Sequence, residues 1–508
     1  MNEFFHGQHG ASRSYLFSKV FLLLLALDAW ALMIGHAGRY GAAGFNAAHF
    51  DWLDAIQPLP TNASYIGVLL LGGLLSLTLM LTGISRPLLA LLLLLYSYSW
   101  AMSLLDSYQH HYFVSLILVC MVFFPQLSAR DIHPLLPPLA ADSAKRKHAR
   151  ERERLEKNEQ LGWVFAAMAA GIVAIYAAVD NSGRVFTVFF LCAGALAAAC
   201  MLVAPKVSAS PVMTRAFGWN LLGVTVSLVY LYTAIAKLEP TWLGGYTMQS
   251  IGSTKKDLAG LVELAGSLGI SSDRFWKLMS TAVIPQELFM AAAYLCAVLR
   301  EQQPSKLLDA ICWLAVALAI ALHVGAEALG LEIGWFSHYM LLFAATYLLP
   351  LPIVDRLVIV LTWPGRYLSQ LADRWEEQAP GKVVPVLTVL GGAAAVMAAA
   401  YFIDLPGAIA IGALASVALV GLALVSIARG GVDPRRWGIA TAAAAALMWI
   451  AIAASPVRWE YYRFRAGDLD KRGELEAALE VYEHGEHYAP AGESRKPKIE
   501  QLRRKLNK

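Results

Sequence analysis

Residues 217–237 read FGWNLLGVTVSLVYLYTAIAK, a run of 20 uncharged residues closed by a single lysine. A helix of about 20 apolar residues spans the hydrocarbon core of a bilayer. The run has no alternation of apolar and polar residues, so it reads as a helix and not as a barrel strand. Comparable runs occupy 17–37, 64–83, 88–105, 112–128, 161–180, 185–203, 280–299, 308–329, 335–350, 383–403, 407–428 and 437–455. The composition agrees: of 508 residues, 58% are hydrophobic and 15% are charged. A soluble domain carries roughly 25% charged residues, and so low a charge content cannot cover a water-facing surface of this size. The expected fold class is all-α, a polytopic transmembrane helical bundle of about 13 spans with a short C-terminal helical hairpin.

The run from Ser18 to Ile34 is too long for a signal-peptide core and lacks a small-residue cleavage pattern, so it is read as a retained first span. Cys120, Cys192, Cys200, Cys296 and Cys312 all fall in apolar runs without paired spacing, which argues against disulfides or structural zinc. Cytoplasmic loops retain Lys and Arg. The 129–160 connector, with Arg130, Lys145, Arg146, Lys147 and Arg150, is therefore placed inside. The other basic clusters then fit one topology in an inner (plasma) membrane, with the N-terminus cytoplasmic and the C-terminus outside. The segment 353–379 carries Asp355, Arg356, Arg366, Asp373 and Arg374 and is read as an amphipathic surface helix. Three regions follow: 1–350, the main membrane domain; 351–455, the amphipathic helix and further spans; and 456–508, a polar tail. The tail resembles one tetratricopeptide-type hairpin. A single such repeat cannot bury its own face, so it is expected to pack on the membrane domain or on a partner.

An ionisable side chain inside a span is costly and marks function by default. Asp106, His110 and His111 lie in the turn between the third and fourth runs. Lys237 follows Tyr230 and Thr233 on one helical face, Glu287 lies in the eighth run, and His323 and Glu327 stand 4 apart on the ninth, with Glu332 and His338 beyond. The expected topology brings all of them toward the outer face. Each also has a plainer reading: a histidine at the interface, a snorkelling lysine, a carboxyl bonded to a neighbouring helix. Trp52, Trp242, Tyr246, Trp335, Tyr461 and Tyr462 read as interfacial aromatic belts. Desolvation disfavours an ammonium, so a lysine in apolar surroundings is a candidate base near neutral pH, tuned by a nearby Glu or His. No H-E-x-x-H, G-x-S-x-G or P-loop occurs, so metalloprotease, hydrolase and nucleotide-driven pump readings lose support.

Three stretches carry a family resemblance: FDWLDAIQPLP (Phe50 to Pro60), LLDSYQHHYFVSL (Leu104 to Leu116) and YLYTAIAKLEPTWLGGYTM (Tyr230 to Met248). They resemble the membrane domain of vitamin K-dependent γ-glutamyl carboxylase and its bacterial relatives, the HTTM-domain proteins, over about residues 10–350. The resemblance implies that Lys237 is the base that deprotonates reduced vitamin K or another quinol. Oxygenation to the epoxide then yields a strong base that removes a glutamate γ-proton, and carbon dioxide quenches the carbanion. A histidine matching His111, or its neighbour His110, assists at the quinone. Glu287 and His323 join the catalytic candidates, and Tyr230, Trp242 and Tyr246 the cofactor-binding ones. No metal is expected. The expected partners are membrane lipid and a peptide or protein substrate at the outer face, without nucleic acid. A non-catalytic transporter, or an assembly or immunity factor using the same cavity, is the alternative.

Overall fold

The computed structural model describes residues 7–39, 62–101 except 84, 109–125, 127, 212–361 except 332, 383–429, and 434–506 except 491. These residues are almost entirely helical. A two-stranded antiparallel ribbon is the one sheet among them, pairing β1 (Gln8–Gly10) with β2 (Met213–Arg215) so that His9 faces Thr214. The first helices are α1 (Ala11–Arg39), α2 (Asn62–Thr82), α3 (Arg86–Ala101) and α4 (Gln109–Val122). After β2 come α5 (Phe217–Ala236), α6 (Pro240–Leu243), α7 (Tyr246–Gly252), α8 (Lys256–Ser267), α9 (Ser272–Gln302) and α10 (Lys306–Ala328). Then follow α11 (Trp335–Leu348), α12 (Leu351–Leu361), α13 (Val383–Ile403), α14 (Ala408–Arg429) and α15 (Pro434–Ala454). The tail forms α16 (Val457–Lys471), α17 (Leu475–Gly485) and α18 (Lys496–Leu506).

Eight of these helices, α1, α2, α5, α9, α10, α13, α14 and α15, are long and apolar enough to cross a membrane. The pair α11–α12, bent by 118°, makes a ninth if it counts as one broken span. The expectation of about 13 spans is not reached among the described residues. The described parts of α3 and α4 comprise 16 and 14 residues, residues 102–108 between them lie outside the described residues, as do the runs at 161–180 and 185–203. So do the Phe50 to Pro60 stretch, Asp106, the 129–160 connector and Glu332. The amphipathic helix expected over 353–379 is described only as far as Leu361, and there Asp355 is buried and accepts a hydrogen bond from the Ser12 hydroxyl.

The chain divides into two compact units. The first comprises Met1–Phe21, Cys120–Ala144 and Asp180–Leu361. Its core is aromatic: the Trp219 ring lies on Tyr347 at 3.8 Å with 4° between planes, and His9 stacks on Trp219 at 5.3 Å. The end of α11 widens into a π-turn, Ala344–Leu348, and Pro350 follows, so several carbonyls lose their helical partners. Two buried arginines take them up. Arg300 donates to the carbonyls of Tyr347, Leu348 and Leu349 at 3.0, 2.9 and 3.0 Å, and Arg13 donates to those of Thr346 and Leu349. Glu301 balances Arg13 at 2.8 Å.

The second unit comprises Leu22–Val119, Lys145–Val179 and Thr362–Lys508. In it α13 and α15 cross where Gly392 and Gly438 let backbones touch, since a Cβ on Gly438 would stand 2.5 Å from the Thr388 carbonyl oxygen. The tail folds as three helices around Ala466, Leu469, Ala478, Tyr482, Ile499 and Leu502. Thus α18 covers part of the face that a lone hairpin would leave bare, and α16 packs on the end of α1. A second anchor is Asp404, in the α13–α14 turn, whose carboxylate accepts from Tyr488 at 2.5 Å and lies 2.7 Å from His484 Nε2. Burial raises the Asp404 carboxyl, but the Tyr488 and His484 hydrogen bonds outweigh it and hold the group below the usual carboxylate range. Tyr461 and Tyr462, expected at a membrane interface, are instead buried in this joint, and Trp335 is buried in the first unit.

The contact of α16 with α1 depends on Gly38, where a Cβ would lie 2.2 Å from the Tyr461 carbonyl oxygen. Gly38→Ala is expected to cost about 1–3 kcal/mol and to expose the tail to trypsin earlier during limited digestion. Gly467→Ala, whose Cβ would make only an ordinary 3.6 Å contact with Tyr482, serves as the neutral or mildly stabilising control.

Candidate functional site

Within the first unit, α5 and α9 run antiparallel and meet at matched intervals. Lys237 faces Glu287 and, 7 residues away on each helix, Tyr230 stacks on Tyr294 at 5.8 Å. Residues two turns apart share a helical face, so each helix offers the partner a charged group and then a tyrosine. Gly223 and the Ser227 hydroxyl, which donates to the Ala291 carbonyl at 2.7 Å, keep the two backbones close.

Lys237 Nζ donates to both Glu287 oxygens, at 2.8 and 2.9 Å, and lies 5.2 Å from the centre of the Trp242 ring. The Lys237 side chain is 20% exposed and that of Glu287 9%. Lys237 is therefore not the isolated amine of an apolar pocket but half of an electrically neutral pair with a ring against its nitrogen. Chain geometry places that ring. Pro240 cannot continue α5 and instead starts α6, which carries Trp242, and the indole donates to the Ser280 carbonyl of α9 at 2.8 Å. Gly245 then turns the chain at φ +85°, with space for a Cβ closed by the Lys277 backbone nitrogen at 2.6 Å, so only glycine lets α7 lie on α9.

Below this pair, the Tyr230 hydroxyl lies 3.0 Å from His323 Nε2, and both residues are buried. The other His323 nitrogen, the Tyr294 hydroxyl and the Ser280 hydroxyl are buried without a hydrogen-bond partner among the described residues. Open hydrogen-bonding capacity thus flanks the Lys237–Glu287 pair, with Tyr294 and His323 on one side and Ser280, two turns of α9 from Glu287, on the other. Glu327 plays a structural part, accepting from the Gly334 backbone N–H at 2.6 Å and from Ser337 and so capping the start of α11. His338 is buried against Trp335.

Lys237, Glu287, Tyr230, His323 and Trp242 thus come together from four helices. Tyr246 is 69% exposed, at the start of α7. His111 belongs to the second unit, where it is buried and meets Tyr96 edge-on at 6.1 Å. The neighbouring His110 is described only as part of α4, its side chain lying outside the described residues. Several polar residues escape the sequence reading, among them Tyr294, Lys19 and Asp28. Tyr294 is findable from its spacing to Glu287. Buried Lys19 and Asp28 lie inside α1, a run that reads as simply apolar.

No protein-family model matches the chain, and no curated protein or solved structure is significantly similar to it.

Removing one partner of a buried ion pair strands the other charge, at about 3–5 kcal/mol, whereas replacing both with apolar groups is close to neutral. Glu287→Leu is therefore expected to lower the thermal unfolding midpoint in nanodiscs sharply, and Lys237→Met/Glu287→Leu to recover most of the loss. A double variant as unstable as Glu287→Leu alone would refute the coupling.

Proposed function

We propose that the first unit binds a quinol-type lipid, reduced vitamin K or a related compound, at the Lys237–Glu287 pair, and that the pair removes a hydroxyl proton to begin epoxidase- or carboxylase-like chemistry. The observation that carries this reading is the two-pronged ion pair joining two spans directly above a buried tyrosine–histidine hydrogen bond. An apolar pair of the same volume would hold α5 to α9 at least as well, so charge retained here is best explained by chemistry. The ligand class fits what lines the site. An aromatic wall is supplied by Trp242, and the unpartnered Tyr294 hydroxyl and His323 nitrogen suit the oxygen substituents of a ring.

When bound, a quinol supplies an acidic aromatic hydroxyl and two reducing equivalents for oxygen. The protein's part is proton transfer. A proton passing from Lys237 Nζ to a Glu287 oxygen, 2.8 Å away, converts the ion pair into neutral amine and neutral acid. The freed amine then takes the ligand proton, so the pair gains one positive charge beside the anion it creates and no charge is left uncompensated in the bilayer. Tyr230 and His323 hold the ring oxygens and pass a proton between them. The apolar packing of α5, α9 and α10 excludes water from these steps. We place the protein in a bacterial-type inner membrane, N-terminus inside and C-terminus outside.

A transporter is the second reading, and the α11–α12 bend of 118° favours it, because broken spans commonly offer free carbonyls to ions. Here those carbonyls already accept from Arg13 and Arg300, which weighs toward the enzyme.

Conversion of reduced vitamin K to its epoxide by the purified protein in nanodiscs tests the proposal. Loss of the proton-accepting group should lower turnover by about 10²–10⁴-fold in Lys237→Ala, with the fold checked by circular dichroism. Turnover unchanged in that variant would contradict the role of Lys237.

A further inference from the structure

Residues 238–271 connect two membrane-crossing helices, α5 and α9, and fold into the three short helices α6, α7 and α8. Their inner side chains form a small core in which Met248, Leu258 and Trp276 pack with Trp242, Val262 and Leu329. A water-facing helix on such a core would show one apolar side and one polar side. Helix α8 has three. Leu258 and Ala265 are buried, with half-buried Val262 between them. Next to that side run Leu261, Leu264 and the helix-terminal Leu268, exposed by 36%, 57% and 73%. At about 100° per residue these three leucines occupy a strip roughly 60° wide, which Asp257 in the first turn shares by register, and Ala259, Glu263 and Ser267 fall on the remaining side.

We propose that α8 is an interfacial helix that lies in the headgroup layer of the membrane that α5 and α9 cross, with Leu261, Leu264 and Leu268 inserted at the acyl boundary. The occupant of the strip is thus the lipid surface. Continuity supports this choice. Ile235 and Leu238 at the end of α5 are 54% and 55% exposed, and Leu278 near the start of α9 is 58% exposed, so exposed apolar side chains continue in the spans on either side of the connection. Tethering supports it as well, because only residues 268–271 separate α8 from α9, which keeps the end of α8 beside the start of a membrane-crossing helix. A helix with an apolar strip, a polar strip and a third side fixed to the protein has the amphipathic form that lies in the plane of the interface. The core beneath α8 includes Trp242, which touches Lys237, so the helix sets the level at which the Lys237–Glu287 site meets the bilayer. The inference stands whether or not Lys237 acts as a base.

The test uses the full chain in nanodiscs, with an environment-sensitive nitrobenzoxadiazole label on Leu264→Cys, Leu268→Cys and, on the polar side, Glu263→Cys. Signal from native cysteines is subtracted with the unsubstituted protein. Labels at 264 and 268 should emit further to the blue than the label at 263. They should be quenched several-fold more by headgroup-proximal spin-labelled lipid and less by aqueous iodide. Equal iodide quenching at all three positions would overturn the proposal. So would shielding of 264 and 268 from both quenchers, the result expected if a second copy or another protein covers the strip. Either leucine position alone is sufficient should the other variant fail to fold.

Discussion

A single constraint runs through this molecule: a charge or free carbonyl in lipid must find its partner inside the protein. Lys237 and Glu287 meet that demand across α5 and α9 with two hydrogen bonds between ammonium and carboxylate. At the bend between α11 and α12, Arg13 and Arg300 meet the same demand for backbone carbonyls, and Glu301 neutralises one of them. The two solutions differ in what they leave over. The arginines consume the acceptors exposed by the π-turn and Pro350, so that end of the unit is closed. Beside the Lys237–Glu287 pair, buried hydroxyl and imidazole groups keep unused hydrogen-bonding capacity. That difference is why chemistry is proposed at one end and only structural support at the other.

Much of this is legible in the sequence. The lysine closing FGWNLLGVTVSLVYLYTAIAK, with Tyr230 a heptad before it, marks the face of α5 that meets α9, because helical periodicity is local. Glu287 and His323 are recognisable as ionisable groups in apolar runs. Their partners are not, since the Lys237–Glu287 and Tyr230–His323 contacts join residues 50 and 93 positions apart and depend on helix register. Glu327 has the same signature as His323, yet it serves as a helix cap because Gly334 lies within its reach. Lys19 and Asp28 stay hidden for the opposite reason: single polar residues barely change the hydropathy of a long Leu-rich run. The number of spans is the hardest to read: eight crossing helices, nine with the bent pair, stand among the described residues, and the runs at 161–180 and 185–203 lie outside them.

The tail shows how composition can predict an element and misplace its neighbours. Its hairpin forms where the turn at Gly473, φ +81°, allows it, and the apolar face is met by the chain's own α18 and by the end of α1. Tyr461 and Tyr462 look like belt aromatics in sequence, but they are buried because Gly38 lets α16 approach α1 closely. The exposed leucines of α8 follow the reverse logic. They lie in a connection between two membrane-crossing helices, which is why lipid is the neighbour proposed for them.

The chemistry assigned to the first unit requires Lys237 and Glu287 to be bound to each other within the membrane. Solid-state NMR of the isotope-labelled protein in lipid bilayers tests this most directly, through correlations between lysine Nζ and glutamate Cδ. The expected result is one such cross-peak that disappears in both Lys237→Met and Glu287→Gln while the rest of the spectrum persists. An identical set of lysine–glutamate cross-peaks in the parent and both variants would contradict the pairing.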